Sequence, residues 1–162
     1  MLLKPVDAQL QLSVRVLSPW GIPDLLFGVA LCAVGCVRSG VHVDDVALTV
    51  VPLMSGALIL YSLWFLVATT GIWFVKIYNA IEVLRGLLDA GRFPLAAYPA
   101  AYRFAFTFVV PIAFLTTVPA ESLLGRARPG FFVASLLLAV VLFALSRWFW
   151  RFSLKSYTGA SG

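Results

Sequence analysis

The side chains able to do chemistry in this chain are few and far apart. Its single histidine, His42, stands beside Asp44 and Asp45. A metalloprotease helix needs two histidines four residues apart, whereas one imidazole in a short polar loop is a solvated group. Cys32 and Cys36 are the two cysteines, and a spacing of four stacks them on one helix face without the side-chain approach of a normal disulfide. Small packing residues are the simpler reading of both. Asp24 follows Pro23 at an expected helix start, where a carboxylate satisfies free amides and the positive end of the dipole. The competing role, a substrate or ion site, rests on the cost of placing an ionisable group near a membrane span. The chain has no G-x-x-x-x-G-K-[ST] phosphate loop, G-x-S-x-G elbow, H-E-x-x-H pair or pair of membrane-embedded carboxylates to share acid and base work. The expectation is a non-catalytic chain with no cofactor or metal site of its own.

The elements that carry these groups are too apolar for a water-soluble domain, with 62% hydrophobic and 12% charged residues in 162. Four stretches run roughly Trp20 to Val37, Val46 to Val75, Phe104 to Leu124 and Pro129 to Trp150. Each is near or above the ~20 residues that cross a ~30 Å hydrocarbon core as a helix. The backbone has no water to bond there, so helices are the viable form. The predicted fold is therefore all-α: a polytopic integral membrane bundle of four transmembrane helices with a cytoplasmic amphipathic helix, residues 1–162 forming one membrane domain. Too little polar sequence remains for a soluble catalytic or energy-coupling domain, which must come from another chain. No segment reads as a cleaved signal peptide, because the first span follows Lys4, Asp7 and Arg15.

Charge placement sets the orientation. With the N-terminus inside, Lys4, Arg15, Lys76, Arg85, Arg92, Arg103, Arg147, Arg151 and Lys155 are cytoplasmic, and Arg38, Arg126 and Arg128 face out. Both termini are thus expected in the cytoplasm. The same orientation puts Trp20, Trp73, Trp148 and Trp150 at the cytoplasmic interface, which suits an amphipathic indole. The net charge of +5 is explained by these loops, and nucleic acid is not an expected partner.

Within this frame, residues 1–19 read as an interfacial lead-in or a frayed terminus, and 151–162 as a cytoplasmic tail. In the first span Gly28, Cys32 and Cys36 recur every four residues with Gly35 adjacent, a stripe of small side chains that lets another helix approach. The second span, at about thirty residues or ~45 Å, must tilt or project beyond the bilayer. From Lys76 to Asp89 the apolar Ile77, Ile81, Leu84 and Leu88 repeat at helical spacing, predicting an amphipathic helix on the cytoplasmic interface or prolonging the second span. Glu82 with Arg85, and Arg85 with Asp89, are its expected surface pairs. Gly91, Pro94 and Pro99 end it. In the third span Pro111 and Pro119 each remove a backbone donor and invite a kink, either in a pathway-lining helix or in an ordinary packing helix. The fourth span, apolar all round, is expected to be a lipid-facing support.

A set of short motifs in order carries a resemblance: Leu3-Lys4-Pro5, Phe93-Pro94, Tyr98-Pro99, Val110-Pro111-Ile112-Ala113-Phe114, Val118-Pro119-Ala120, Leu123-Leu124-Gly125 and the terminal Tyr157-Thr158-Gly159-Ala160-Ser161-Gly162. Over nearly the whole chain it resembles the permease subunits of bacterial type-2 ABC exporters, a six-span branch of the ABC-2 family. That family carries two further spans before the lead-in, so the resemblance is to its C-terminal four-span portion. It implies a permease of the bacterial inner membrane that pairs with a second permease subunit, as homo- or heterodimer, and with a cytoplasmic ABC ATPase that binds ATP and Mg. It also implies that the lead-in at Leu3, Lys4 and Pro5 couples to the ATPase, and that the Pro111 to Gly125 region, with Pro119 and Glu121, forms the outer part of the pathway. A non-transporting membrane scaffold or assembly subunit is the alternative.

Overall fold

The computed structural model describes Gln9, Pro19 and residues 21–72, 78–126 and 128–156. Among these, all regular structure is helical. The chain divides into two units, Met1–Val41 and His42–Gly162. The first contains α1 (Gly21–Ser39), with Asp24 in its first turn and Arg38 in its last, each complementing the dipole at its own end. Gly40 stops it at φ 65°. The Val41 amide donates to the Cys36 carbonyl at 3.2 Å, the long bond of a glycine-terminated helix.

The second unit runs α2 (Val43–Thr70), α3 (Tyr78–Ala90), a short 3₁₀ turn at Leu95–Ala97, α4 (Ala100–Phe104), a π turn at Ala105–Val109, α5 (Ile112–Leu115), α6 (Thr117–Leu123) and α7 (Pro129–Ser156). His42 is the N-cap of α2 and accepts the Asp45 and Val46 amides through its carbonyl. Asp44 and Asp45 thus belong to the first turn of the helix and not to a loop.

Helices α2 and α7 form the frame. On α2 the buried positions are Thr49, Pro52, Ser55, Gly56, Ile59, Ser62 and Thr69; on α7 they are Ser135, Ala139, Ser146 and Ser153. These are spaced for a helix face, and nearly all are small. The hydroxyls bond inside their own helices, Ser62 to the Leu58 carbonyl at 2.7 Å and Ser146 to that of Phe143 at 2.8 Å. They therefore satisfy themselves and leave the seam closely packed. The fourth span is thus more than a lipid-facing support: one face is a packing seam, while Leu137, Val140, Val141 and Trp148 on other faces are exposed.

The two helices run in the same direction. Asp45 and Leu48 share a cleft with Pro129 and Phe132, the Tyr61 and Phe143 rings lie 6.2 Å apart, and Phe65 meets Trp150 edge-on at 5.4 Å. Residues 71–128 must therefore return across the full thickness of the bundle. They do so in pieces, so the kinked span expected from 104 to 124 is interrupted by a sharp bend. Among the described residues three helices are long and apolar enough to cross a membrane, α1, α2 and α7, and a further pair, Ala100–Thr107 with Ile112–Leu123, is bent by 68°.

Of the two placements expected for the amphipathic segment, the continuation of the second span is overturned. A helix is present at Tyr78–Ala90, but it doubles back beside α2 instead of prolonging it. Ala80 lies with Leu66, Val67 and Thr70, the Arg85 guanidinium stands 6.0 Å from the Trp64 ring centre, and Leu84 is buried. Arg85 pairs with Glu82 at 3.0 Å as expected. Asp89, however, pairs with Arg92 at 2.8 Å, which takes the place of the expected Arg85–Asp89 pair.

Candidate functional site

Sequence chemistry fixes where the return path breaks. Pro111 has no amide to give to a preceding carbonyl, and its ring excludes the helical region for Val110. Val110 accordingly lies at φ −118°, ψ 99°, and Pro111 at φ −72°, ψ 54°. The Ile112 amide bonds back to the Val110 carbonyl at 2.6 Å, closing a tight three-residue turn. Upstream, the chain widens into the π turn, and the Val110 amide reaches the Ala105 carbonyl at 3.0 Å. The kink expected at Pro111 is a full break.

Pro119 behaves differently. The backbone departs from helix at Thr116, φ −123° and ψ −54°, and α6 starts at Thr117. Pro119 is therefore buried in a first turn, where an amide is not required. The expected kink is not at Pro119 itself.

The broken path is held against α2 at Gly56. A Cβ at Gly56 would lie 3.0 Å from the Phe114 carbonyl oxygen and 3.4 Å from Leu115 Cα. A side chain of any size would push α5 away. Ile59, Phe114, Val118 and Ala139 form the buried cluster beside this contact. At the far end, Gly125 at φ 66° ends α6, with the Arg126 amide on the Glu121 carbonyl at 2.9 Å and the Gly125 amide on that of Ser122 at 3.0 Å. This pair of bonds is the Schellman arrangement, which glycine adopts without strain. The Asp45 carboxylate lies within 3.6 Å of where a Cβ at Gly125 would stand.

Between the turn at residues 91–96 and α6 lies an open cleft of about 400 Å³. Arg92, Phe93 and Leu95 line one side, and Thr117, Glu121 and Leu124 the other. Glu121 is half-buried. Gly91 closes the base, where a Cβ would come within 2.6 Å of Ile112 Cγ2.

Of the residues singled out from sequence, Glu121 lines this cleft, whereas Pro111 and Pro119 are buried in the same broken crossing and are not among the cleft's lining residues. Leu3, Lys4 and Pro5 lie outside the described residues. On α1, Gly28 and Cys32 are exposed and Cys36 is half-buried, with open space where a Cβ at Gly28 would stand. Sequence reasoning overlooked Gly56, Arg92 and Thr117, together with the small-residue seam of α2. The seam was visible as Thr49, Ser55, Gly56 and Ser62 at helical spacing. Arg92 and Thr117 carried no local signal, because a turn and a helix distant in sequence form the cleft.

Compared with known families, residues 1–161 match the family described as ABC-2 family transporter protein. No curated protein and no solved structure matches the chain.

Proposed function

The chain belongs to the ABC-2 family of transporter proteins, and from that membership we propose that this multi-pass membrane protein is the permease subunit of an ATP-driven exporter. The family match over residues 1–161 carries the reading. A crossing broken at Pro111 and lined by a cleft containing Glu121 supports it, because irregular backbone inside a membrane bundle belongs where a cavity or protein covers it.

In this reading a separate cytoplasmic ABC ATPase binds ATP and Mg, and its turnover drives the permease between inward- and outward-open states. Leu3, Lys4 and Pro5 in the lead-in dock that ATPase. Pro111, Pro119 and Glu121 border the outer part of the substrate path. The small stripe at Gly28, Cys32 and Cys36 packs against a helix of a second permease subunit, of the same or a related chain. The protein sits in the bacterial inner membrane with both termini in the cytoplasm, following the distribution of Lys and Arg along the sequence.

Affinity purification of the tagged chain from its native membrane, followed by reconstitution of the recovered complex in vesicles, tests this. The expected result is co-purification of an ATP-binding subunit and ATP-dependent movement of substrate out of the compartment facing that subunit. Loss of the ATPase on substitution of Leu3 and Lys4, with insertion intact, supports the docking assignment. Recovery of a complex without any ATPase, or with one but without transport, returns the chain to the class of scaffold or assembly subunits.

A further inference from the structure

The position of the 91–96 turn along α2 has a physical consequence. Helix α6 lies beside α2 between Gly56, which touches Phe114 and Leu115, and Asp45, which touches Gly125. Eleven residues of helix separate those levels, about 16 Å at 1.5 Å per residue. Asp44 and Asp45 mark one membrane boundary of α2, so Gly56 stands near the middle of a ~30 Å hydrocarbon core. Gly91 abuts Ile112 and Thr116 at that depth. The turn that follows it faces Thr117, Glu121 and Leu124.

Non-helical backbone and charged side chains are thus held at hydrocarbon depth. They are not buried: the Arg92 and Asp89 side chains are 78% and 62% exposed, and Phe93, Pro94 and Ala96 are exposed as well. Facing lipid, such a segment is costly; facing water, it is not. Two opposite charges line the cleft, Arg92 and Glu121, and among the described residues only the first has a side-chain partner. Arg92 is tied to Asp89 at 2.8 Å, which leaves the half-buried Glu121 carboxylate with no ion pair or hydrogen-bond partner for its side chain among the described residues. The apolar Phe93, Leu95 and Leu124 line the same cleft.

We propose that this cleft is a water-filled binding site part-way across the membrane, and that it takes a lipophilic monocation, an ammonium or similar centre on an apolar body, with Glu121 as the counter-charge. The proposal deepens the pathway reading above and rests on it for the identity of the ligand as a substrate.

Cysteine accessibility tests the site without an ATPase. In a Cys32→Ser, Cys36→Ser background, Ala96→Cys and Ala120→Cys place thiols on opposite sides of the cleft, and Val140→Cys places one on the exposed apolar face of α7. In membranes, the first two react with water-soluble methanethiosulfonates and the third does not. The cationic trimethylammonium reagent is expected to react about tenfold faster than the anionic sulfonate one, and Glu121→Gln removes that preference. Tetraphenylphosphonium protects the Ala96→Cys thiol, whereas tetraphenylborate, of the same shape and opposite charge, does not.

Repeating the measurement in phosphatidylglycerol vesicles with and without phosphatidylethanolamine separates a lipid ammonium headgroup from a free cation as the occupant. Unreactive thiols at both cleft positions, or a reagent preference unchanged by Glu121→Gln, overturn the proposal. These outcomes are independent of transport, so their failure leaves the exporter reading standing. A complex that moves no substrate leaves the site standing.

Discussion

Two glycines in this protein are held for opposite reasons. Gly56 is needed for what stands next to it: the Phe114 carbonyl oxygen is 3.0 Å from any Cβ placed there, so a larger residue must displace the broken crossing or bend α2. Gly56→Leu is expected to destabilise the bundle by about 1–3 kcal/mol through overpacking. An Ala47→Leu control on the exposed side of α2 should change little. Thermal unfolding of both variants in one detergent checks this, and an unchanged Gly56→Leu protein would mean that α5 does not meet α2 there. Gly125 is needed for its own backbone, at φ 66°. Gly125→Ala forces an L residue into the left-handed region and is expected to cost about 1 kcal/mol, measured in the same way. Neither requirement is visible in local composition, since the sequence holds 12 glycines and only contacts and dihedral angles show which of them are constrained.

At the scale of elements, the pairing of α2 with α7 depends on small volume and not on hydrogen bonds between helices. Lipid is as apolar as a leucine side chain, so close packing has to supply the association. Ser62 and Ser146 each donate to a carbonyl of their own helix. Ser62→Ala and Ser146→Ala are therefore expected to remain within about 0.5 kcal/mol of the parent. Ser146→Leu wedges the helices apart and is expected to cost about 1–3 kcal/mol. Equal losses for alanine and leucine at Ser146 would instead show that the hydroxyl carries the contact. The seam is legible as Thr49, Ser55, Gly56 and Ser62 at helical intervals, although the stripe at Gly28, Cys32 and Cys36 is the more regular of the two. Spacing alone tells which residues share a face, and only a packed neighbour tells which face is used.

For the whole molecule, the parallel run of α2 and α7 places His42 and Gly130, at their starting ends, on one side of the membrane, and their other ends on the opposite side. In the orientation proposed above from the Lys and Arg distribution, the first side is the exterior. A thiol at His42→Cys or Gly130→Cys is expected to be labelled by an impermeant reagent from outside intact cells, and one at Ser161→Cys only after the membrane is opened. Labelling of 42 and 130 from opposite sides would contradict the parallel pairing itself. Labelling of Ser161→Cys from outside would invert the orientation alone. The sequence holds no phosphate-binding loop, so the purified chain is expected neither to bind nor to hydrolyse ATP. Nucleotide binding and phosphate release by the isolated chain measure this directly, and partner-independent turnover would refute it.

The sequence by itself determined that this is a membrane protein built from helices, roughly where α1, α2 and α7 lie, and that Pro111 invites a kink in the segment between α2 and α7. Those features follow from hydrophobic length and from a missing backbone donor, which act on neighbouring residues. Only the tertiary structure decided that α3 turns back along α2, that Asp89 pairs with Arg92, and that Glu121 faces the 91–96 turn across a cleft. Each of these depends on segments that are distant along the chain being brought to the same depth. A hydropathy profile gives depth only for straight spans, so it assigned the turn at residues 91–96 to the surface. The close approach at Gly56 and the parallel α2–α7 frame put that turn beside the middle of the bundle.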